Sequence, residues 1–447
     1  MIGATNLRPI GIDLFSGAGG MSLGFEQAGF DVAAAVEVDP IHCAVHKYNF
    51  PHTTIIPRSV TSITGADIRE AAGLGKRTVH CVFGGPPCQG FSMIGQRSME
   101  DPRNRLVLDF VRIVAELGAE TFVFENVKGL TVGRHRAFLQ ELVQAFEKEG
   151  YRVRMPWSVL NAANFGVPQH RHRLILIGAK KALPLPAYPQ IQTLPADESA
   201  MDLGLPTGPS VGDALRDIPN ADRFQQLLDT DSVEASLFDN PSRYASELRC
   251  EARGAWHFGY RRVWRRSLIT SSARTDHSVI SRTRFSETGA GCVEPISRFF
   301  KLKEHGLSNT LRAGTDGARG AFTSPRPIHY KHPRCITVRE MARLHGFPDW
   351  FRFHATKWHG ARQVGNAVPP PLARAIASCL IKSFAWDIEK PNAPLKLGDT
   401  TLLQMELNAA ATYFGIPKPN SRRDMKSGRR KRSQQETERM RLAKRTA

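Results

Sequence analysis

Short apolar runs alternate with longer amphipathic segments over the first 180 residues, and this alternation constrains the fold more than any other feature of the chain. Strands that alternate with helices are typical of a doubly wound sheet covered by helices on both faces. We therefore predict an α/β fold with a mostly parallel sheet. The expected strands are 10–15, 32–36, 79–83, 121–124 and 173–178, and the expected helices are 21–28, 106–117 and 136–149.

The pattern changes after this region. Residues 184–209 are rich in proline, which favours an irregular crossing. Periodicity is poor over 210–330 and returns in two expected helices, 338–344 and 372–384. The simplest architecture is an α/β lobe, a smaller irregular domain and a final helix that returns to the first lobe.

The formal net charge of +19 favours a polyanionic partner. Residues 418–447 hold twelve Lys and Arg against three Asp and Glu, with few apolar residues. That composition fits either a disordered solvated tail or a non-specific phosphate contact. Residues 240–305 hold thirteen basic and six acidic residues mixed with aromatic ones, a composition that favours nucleic-acid contact within a folded segment.

The seven cysteines are scattered and none has C-x-x-C spacing. This argues against a disulfide framework or a zinc site, and for a reducing compartment. No apolar run approaches the roughly 18 residues of a membrane span, and the first residues do not predict a secretory signal. We expect a cytoplasmic, nucleoid-associated protein without a metal.

A glycine-rich turn, 13–20, follows the first expected strand. Glycines let the backbone approach a ligand closely at the start of a helix. Glu37 ends the next strand, where an acid can accept hydrogen bonds from two ribose hydroxyls. The pattern indicates nucleoside binding, fits a nicotinamide cofactor about as well, and leaves a simple tight turn open.

Three further segments follow strands or precede one. Cys88 lies in 84–92, just beyond the strand 79–83, and is either a nucleophile that needs activation or a structural thiol. Glu125 ends the next strand; beside an apolar pocket it could hold a proton, and otherwise it is an exposed acid. Gln169, Arg171 and Arg173 should share one face of an extended segment, suited to phosphate or carbonyl oxygens or simply solvated.

The order and the residues of these four segments closely resemble the motifs of the DNA (cytosine-5)-methyltransferase family. Three later segments, 310–313, 339–348 and 363–370, also resemble its motifs, so the resemblance covers about 8–185 and 306–385. It implies a Rossmann-like methyltransferase fold and the cofactor S-adenosyl-L-methionine. The expected divisions are a catalytic domain at 8–185, a target-recognition domain at 186–356, a returning segment at 357–390, and an extension with a basic, disordered tail at 391–447.

The resemblance also assigns the cofactor site. Phe15 would stack on the adenine, Glu37 would hold the ribose, and Asp67 would accept from the adenine amino group. Asn366 would border the methionine end and the loop behind Cys88. The remaining residues expected at this site are Gly17, Gly19, Gly20 and Pro86.

The same resemblance implies that Cys88 attacks carbon 6 of a flipped-out cytosine in double-stranded DNA. Glu125 would supply a proton or a strong hydrogen bond to ring nitrogen 3. Arg173, with Arg171 behind it, would neutralise the charge that develops on the ring carbonyl. The loop 89–105 would close over the target. The residues expected to contact DNA are Gln89, Ser92, Ile94, Gln96, Arg97, Thr310 and Arg312.

Three functions other than DNA methylation would explain part of this pattern. A dehydrogenase leaves Cys88, Glu125 and Arg173 without a joint purpose, and a catalytically inactive relative leaves every filled chemical position unused. A transfer-RNA cytosine-5 methyltransferase of the same fold stays open, although a long variable basic region favours duplex DNA. The setting that the resemblance implies is a bacterial restriction–modification system, with a possible cognate endonuclease and a monomeric enzyme.

Overall fold

The central sheet lies in the first half of the chain, in a computed structural model that describes residues 8–87, 105–133, 135–198, 204–235, 238–315 and 325–418. Eight of the described strands form it: β1 Ile10–Leu14, β2 Asp31–Val36, β3 Thr54–Ile56, β4 Cys81–Gly84, β5 Thr121–Val127, β6 Tyr151–Val153, β7 Ser158–Asn161 and β8 His172–Lys180. The order across the sheet is β3-β2-β1-β4-β5-β8-β6, and β7 also pairs with β8.

Strands β1 to β5 pair in parallel, whereas β8 runs antiparallel to β5, β6 and β7. The predicted mostly parallel α/β fold is confirmed. Periodicity alone could place the strand 173–178 but could not give its direction. That direction depends on the short connections through β6 and β7, which return the chain without a crossover helix.

The helices of this lobe cover both faces of the sheet: α1 Gly20–Ala28, α2 Pro40–Asn49, α3 Gly65–Ala71, α4 Arg105–Glu116 and α5 His135–Lys148. Successive strand residues point to opposite faces, so Val82 packs in one hydrophobic cluster and Phe83 in another. Phe110, Phe122 and Phe146 fill the first cluster under α4 and α5. Both faces of the sheet are therefore buried, as a parallel sheet requires.

Helix α2 was not among the predicted helices, although Ile41, Ala44, Val45 and Tyr48 recur at helical spacing. A local start signal was also present. The Asp39 side chain accepts a hydrogen bond from Ile41 N, and Pro40 occupies the first helical position. An acidic N-cap followed by proline is a typical helix start.

The middle of the chain is irregular, as predicted. In the described parts of 181–210 neither a helix nor a strand ladder forms. Beyond it lie only short elements: α6 Val211–Leu215, β9 Val233–Glu234, α7 Arg243–Leu248, β10 Arg262–Val263, β11 Leu268–Ile269 and α8 Val279–Glu287.

The last elements return to the first lobe. They are α9 Val338–Leu344, α10 Lys357–Asn366, α11 Pro370–Phe384, β12 Leu395–Lys396 and α12 Leu407–Tyr413. Leu372 and Ile376 of α11 are fully buried in one cluster with Phe25 of α1. The predicted return of the final helix is therefore observed, while the residue limits of the domains stay predictions. None of the helices in the described ranges has the length and apolar character that a membrane crossing needs.

Candidate active site

The strand order reverses between β1 and β4, and parallel sheets bind ligands beyond the carboxyl ends of their strands at such a point. Leu14 and Gly84 are paired at those ends. A cavity of about 880 Å³ opens there. Residues from these described segments line it: 13–21, 37–42, 85–87, 125–127, 171–173, 313–315 and 362–368.

The glycine-rich turn forms one wall of the cavity. Phe15 has a left-handed backbone with φ of 59°, which is unusual for a bulky residue and aims the chain into the turn. Gly19 has φ of 101° and is the N-cap of α1; a Cβ on it would lie 2.5 Å from the Phe50 ring. Phe15, Gly17 and Gly20 line the cavity, whereas Gly19 serves the turn behind it.

Glu37 is held against this turn by backbone groups. One carboxylate oxygen accepts from Gly17 N at 2.9 Å. The other accepts from Val38 N and Asp39 N, both at 2.9 Å. Three of the roughly four lone-pair positions of a carboxylate are thus used. One position remains for a hydroxyl, and a second ribose hydroxyl would have to replace the Gly17 N–H.

Asp13 lies beneath the turn and was not predicted as a separate site residue. Its carboxyl group is buried and accepts a hydrogen bond from Ser22 Oγ at 2.6 Å. Burial, with a smaller contribution from the nearby Glu37 carboxylate, raises the pKa of Asp13 to about 8, although the hydrogen bonds with Ser22 lower it in part. A buried acid at the end of a strand, just before a glycine turn, was the sequence feature that could have identified it.

An ion pair forms the opposite wall. Arg173 Nε lies 2.7 Å from a Glu125 carboxylate oxygen, and both side chains are about one-eighth exposed. Antiparallel pairing of β5 with β8 places the two on neighbouring positions of the sheet. Asn126 Nδ2 donates to Pro86 O at 3.0 Å and so ties the loop after β4 to β5. Glu125 is therefore paired with a guanidinium at the edge of the cavity, and its role as a proton donor stays a prediction.

Arg171 is almost fully buried behind that pair. Its guanidinium donates to Leu311 O at 3.0 Å, to Gly365 O at 2.9 Å and to Ala367 O at 2.8 Å. Three backbone carbonyls from two distant segments are thus held by one side chain. Arg171 therefore acts as a clamp, and it also lines the cavity with a buried Nε that has no hydrogen-bond partner among the described atoms.

The rest of the clamp comes from the same short stretch of chain. Gln169 accepts from Leu311 N at 3.0 Å, and the Thr310 hydroxyl donates to His170 O at 2.6 Å. Gln169 and Arg171 both bind Leu311, whereas Arg173 pairs with Glu125. Gly365 lets α10 lie close to the backbone at Ala313, because a Cβ at this position would lie 2.4 Å from Ala313 N.

Comparison with known proteins identifies the family. Residues 10–382 match the model of the C-5 cytosine-specific DNA methylase family. The chain is 55% identical over 410 residues to the Type II methyltransferase M.XorII of Xanthomonas oryzae pv. oryzae, covering 92% of this chain and 93% of that protein. It is 33% identical to M1.HphI of Haemophilus parahaemolyticus, covering 83% and 86%.

A crystal structure of an E. coli prophage protein described as a DNA modification methyltransferase superposes with a TM-score of 0.66 at 30% identity. The alignment covers 84% of this chain and 99% of the other. This chain belongs to the C-5 cytosine-specific DNA methylase family. It is a DNA (cytosine-5)-methyltransferase, and its methyl donor is S-adenosylmethionine. The predicted family is confirmed, and the match favours DNA over the RNA alternative.

The cavity fits the cofactor of this methyltransferase. Glu37 offers a carboxylate at one end, and Ser16 Oγ and Gln363 Nε2 are buried at its wall without a hydrogen-bond partner among the described atoms. Asn366 is exposed on the same wall. Unpaired buried donors and acceptors beside a cavity of this size are what a polar ligand would satisfy.

Asp67, like Gly19, is a predicted cofactor residue of the methyltransferase that does not line the cavity. Its carboxylate accepts from Thr64 N at 2.8 Å and closes a capping box at the start of α3. Asp67 therefore caps the start of α3, and its weak match to the family motif did not place it at the cofactor site.

Six predicted residues of the methyltransferase lie outside the described ranges: Cys88, Gln89, Ser92, Ile94, Gln96 and Arg97. Pro87, the residue before Cys88, lines the cavity. Sequence reasoning missed Val38, Asp39 and Arg362, which also line it. Asp39 and Val38 directly follow Glu37 and could have been found from that position, whereas Arg362 is brought there only by α10.

Proposed function

We propose that this enzyme methylates carbon 5 of a cytosine flipped out of a specific sequence in double-stranded DNA, through a covalent adduct with Cys88. The observation that carries the proposal is the shared cavity. Glu37 and the glycine turn form one wall, and the Glu125–Arg173 pair forms the other. A donor held at the first wall would therefore face a base held at the second.

The cofactor would be bound by the first wall. Bound there, S-adenosylmethionine supplies an electrophilic methyl group. Glu37 would accept a ribose hydroxyl with the lone pair that its backbone partners leave free, and Phe15 would lie against the adenine. Gly17, Gly20, Pro86 and Asn366 would shape the rest of the pocket, with Gly19 holding the turn. Asp67 is left out because it caps α3.

The target ring needs activation because carbon 5 of cytosine is a weak nucleophile. The Cys88 thiolate would form a C–S bond to carbon 6, and the electrons of the 5,6 double bond would move onto the ring. Glu125 would donate a hydrogen bond or proton to ring nitrogen 3, and Arg173 would stabilise charge at the ring carbonyl. Carbon 5 would then accept the methyl group, leaving S-adenosylhomocysteine, and would lose its proton to solvent. The electrons of that C–H bond re-form the 5,6 double bond, and the Cys88 thiolate leaves carbon 6.

A flipped base costs a few kcal/mol of unstacking and unpairing, which contacts to DNA must supply. Residues 186–356 would read the sequence, with the exposed Arg312 close to the cavity-lining Ala313. Thr310 would act by positioning, because its hydroxyl is already bonded to His170 O. Gln89, Ser92, Ile94, Gln96 and Arg97 would close over the target. The Type II relatives support a restriction–modification role, in which a cognate endonuclease would be the partner activity.

Replacement of the nucleophile tests this proposal. Cys88→Ser should abolish methyl transfer from labelled S-adenosylmethionine to DNA, because a hydroxyl ionises far less readily than a thiol. Cofactor affinity should be retained. Duplex DNA that contains 5-fluorocytosine should trap the wild type, but not the variant, as a stable adduct. Near-normal turnover of Cys88→Ser, or faster labelling of RNA than of DNA, would contradict the proposal.

A further inference from the structure

A C-terminal segment packs against the wall of the cavity that we assign to the cofactor. Residues 395–416, here called the C-terminal brace, lie beyond residue 382, where the match to the family model ends. The brace consists of β12, a 3₁₀ turn at Thr400–Gln404 and α12. It is therefore an addition to the part of the fold that the family shares.

The brace packs through apolar side chains. Leu402 and Leu403 are 3% and 1% exposed. They share a hydrophobic cluster with Val45 and Tyr48 of α2 and with Ala18 of the glycine turn. Ala18 itself lines the cavity. One layer of side chains thus separates the brace from the space where the cofactor would bind.

Backbone hydrogen bonds anchor the brace at three places. Gly398 N donates to Tyr48 O at 2.8 Å, and Ala355 N donates to Leu403 O at 2.9 Å. Leu395 N donates to Arg261 O at 2.8 Å beside the pairing of β12 with β10. The brace is therefore attached to α2, to the chain before α10 and to the irregular middle region.

Helix α2 connects the brace to the cofactor wall. Its N-cap residue, Asp39, lines the cavity, and Asp39 N donates to Glu37 at 2.9 Å. Glu37 in turn accepts from Gly17 N. A displacement of α2 would therefore change the position of the carboxylate and of the turn together, whereas the Glu125–Arg173 pair belongs to β5 and β8 on the opposite wall.

We propose that the C-terminal brace positions the S-adenosylmethionine site, with Leu402 and Leu403 as positioning residues that act through α2 and Ala18. This inference rests on the proposed assignment of that wall to the cofactor. The brace holds Glu37 and the glycine turn in place before the cofactor arrives. Loosening it costs cofactor affinity and leaves the target wall intact.

Two matched leucine variants test the proposal. Leu403→Ala removes a side chain that is 1% exposed from the brace, and Leu227→Ala removes one of equal burial from a separate cluster with Ala221, Val233 and Ile269. Both should lower thermal stability by similar amounts. Only Leu403→Ala should weaken cofactor binding, by about 5- to 150-fold, the usual range of coupling between two sites. Calorimetry would measure the cofactor affinity.

The control measurements separate positioning from general damage. Leu403→Ala should keep its turnover at saturating cofactor and its affinity for duplex DNA. Equal cofactor affinity of Leu403→Ala and wild type, or equal losses in both leucine variants, would overturn the proposal. Glu37→Ala is measured alongside: if that variant binds the cofactor normally, the assignment of the wall fails instead.

Linkage provides a test that needs no variant. If the brace favours cofactor binding, the cofactor must stabilise the docked brace to the same extent. Saturating S-adenosylmethionine should then slow amide hydrogen exchange at Leu402, Leu403 and the residues of α12 in the full-length wild type. Exchange near Leu227 should be unchanged and serves as the reference. Unaltered exchange in the brace would contradict the proposal even if Leu403→Ala fails to fold.

Discussion

The two walls of the cavity are built in different ways. The wall that we assign to the cofactor comes mostly from 13–42, a continuous stretch in which two strand–helix units follow one another. The wall that we assign to the target is assembled from 125–127, 171–173 and 313–315, while 85–87 and 362–368 hold Pro86 and Asn366, which we assign to the cofactor. A local wall depends on turns and caps, whereas an assembled wall depends on the contacts that join distant segments.

This difference has an energetic consequence. Glu37 is oriented by the backbone of its own neighbours, so changing it should disturb little beyond the cofactor. Arg171 joins Leu311 to Gly365 and Ala367, which lie 140 or more positions further along the chain. Its loss should therefore affect the fold as well as the site. Four predictions test this contrast, beginning with the largest expected effect.

Two arginine variants should distinguish a residue that stabilises the target wall from one that takes part in the reaction. Arg171→Ala leaves three buried carbonyls without their donor and should cost more than about 1–3 kcal/mol of unfolding free energy, the range for a single buried group left unsatisfied. Arg173→Ala should lose about 10²- to 10³-fold in turnover, the usual cost of one lost charge-stabilising donor. Its unfolding free energy should change far less. Chemical denaturation and methyl-transfer rates measure the two effects, and equal destabilisation would refute the clamp.

Glu37→Ala should affect only the cofactor wall. S-adenosylmethionine binding should weaken by about 1–3 kcal/mol, the range for a lost charged hydrogen bond. Affinity for duplex DNA should remain close to that of the wild type, because the target wall does not depend on Glu37. Calorimetry with each ligand gives both values. An unchanged cofactor affinity would remove Glu37 from the site.

The buried Asp13 makes stability depend on pH. Its pKa of about 8 in the folded protein lies above the value of about 3.9 for an unfolded chain. Between those values the folded state binds a proton that the unfolded state has released, so this residue's contribution to stability falls as pH rises from about 4 to about 8. Asp13→Asn should remove that part of the slope. Unfolding of both proteins at pH 5 and at pH 8 would reveal it, and identical slopes would argue against a protonated Asp13.

The smallest effect is expected for the basic residues 418–447, which are described only at Lys418. Base readout needs side chains in fixed positions, whereas phosphate attraction needs only charge. Deleting 419–447 should weaken binding to all DNA sequences alike and reduce its salt dependence. The methylated sequence should not change. Exchange of 186–305 for the matching region of a relative should change it, and bisulfite sequencing would detect either outcome.

The sequence was sufficient where structure and site depend on neighbouring residues. The strands β1, β2, β4 and β5, the glycine turn and the position of Glu37 followed from hydrophobic periodicity and residue type over short spans. These features are governed by local backbone preferences, which a window of a few residues contains. The order of the motifs was also enough to identify the family.

Only the tertiary structure decided what each side chain contacts over long distances. Arg171 and Arg173 differ by two positions, yet one binds three distant carbonyls and the other faces Glu125. Asp67 matched a motif but caps α3. Nothing in the sequence of the C-terminal brace indicated its contact with α2. Such outcomes depend on which segments the packed core brings together, and that information is spread over the whole chain rather than held in any one stretch of it.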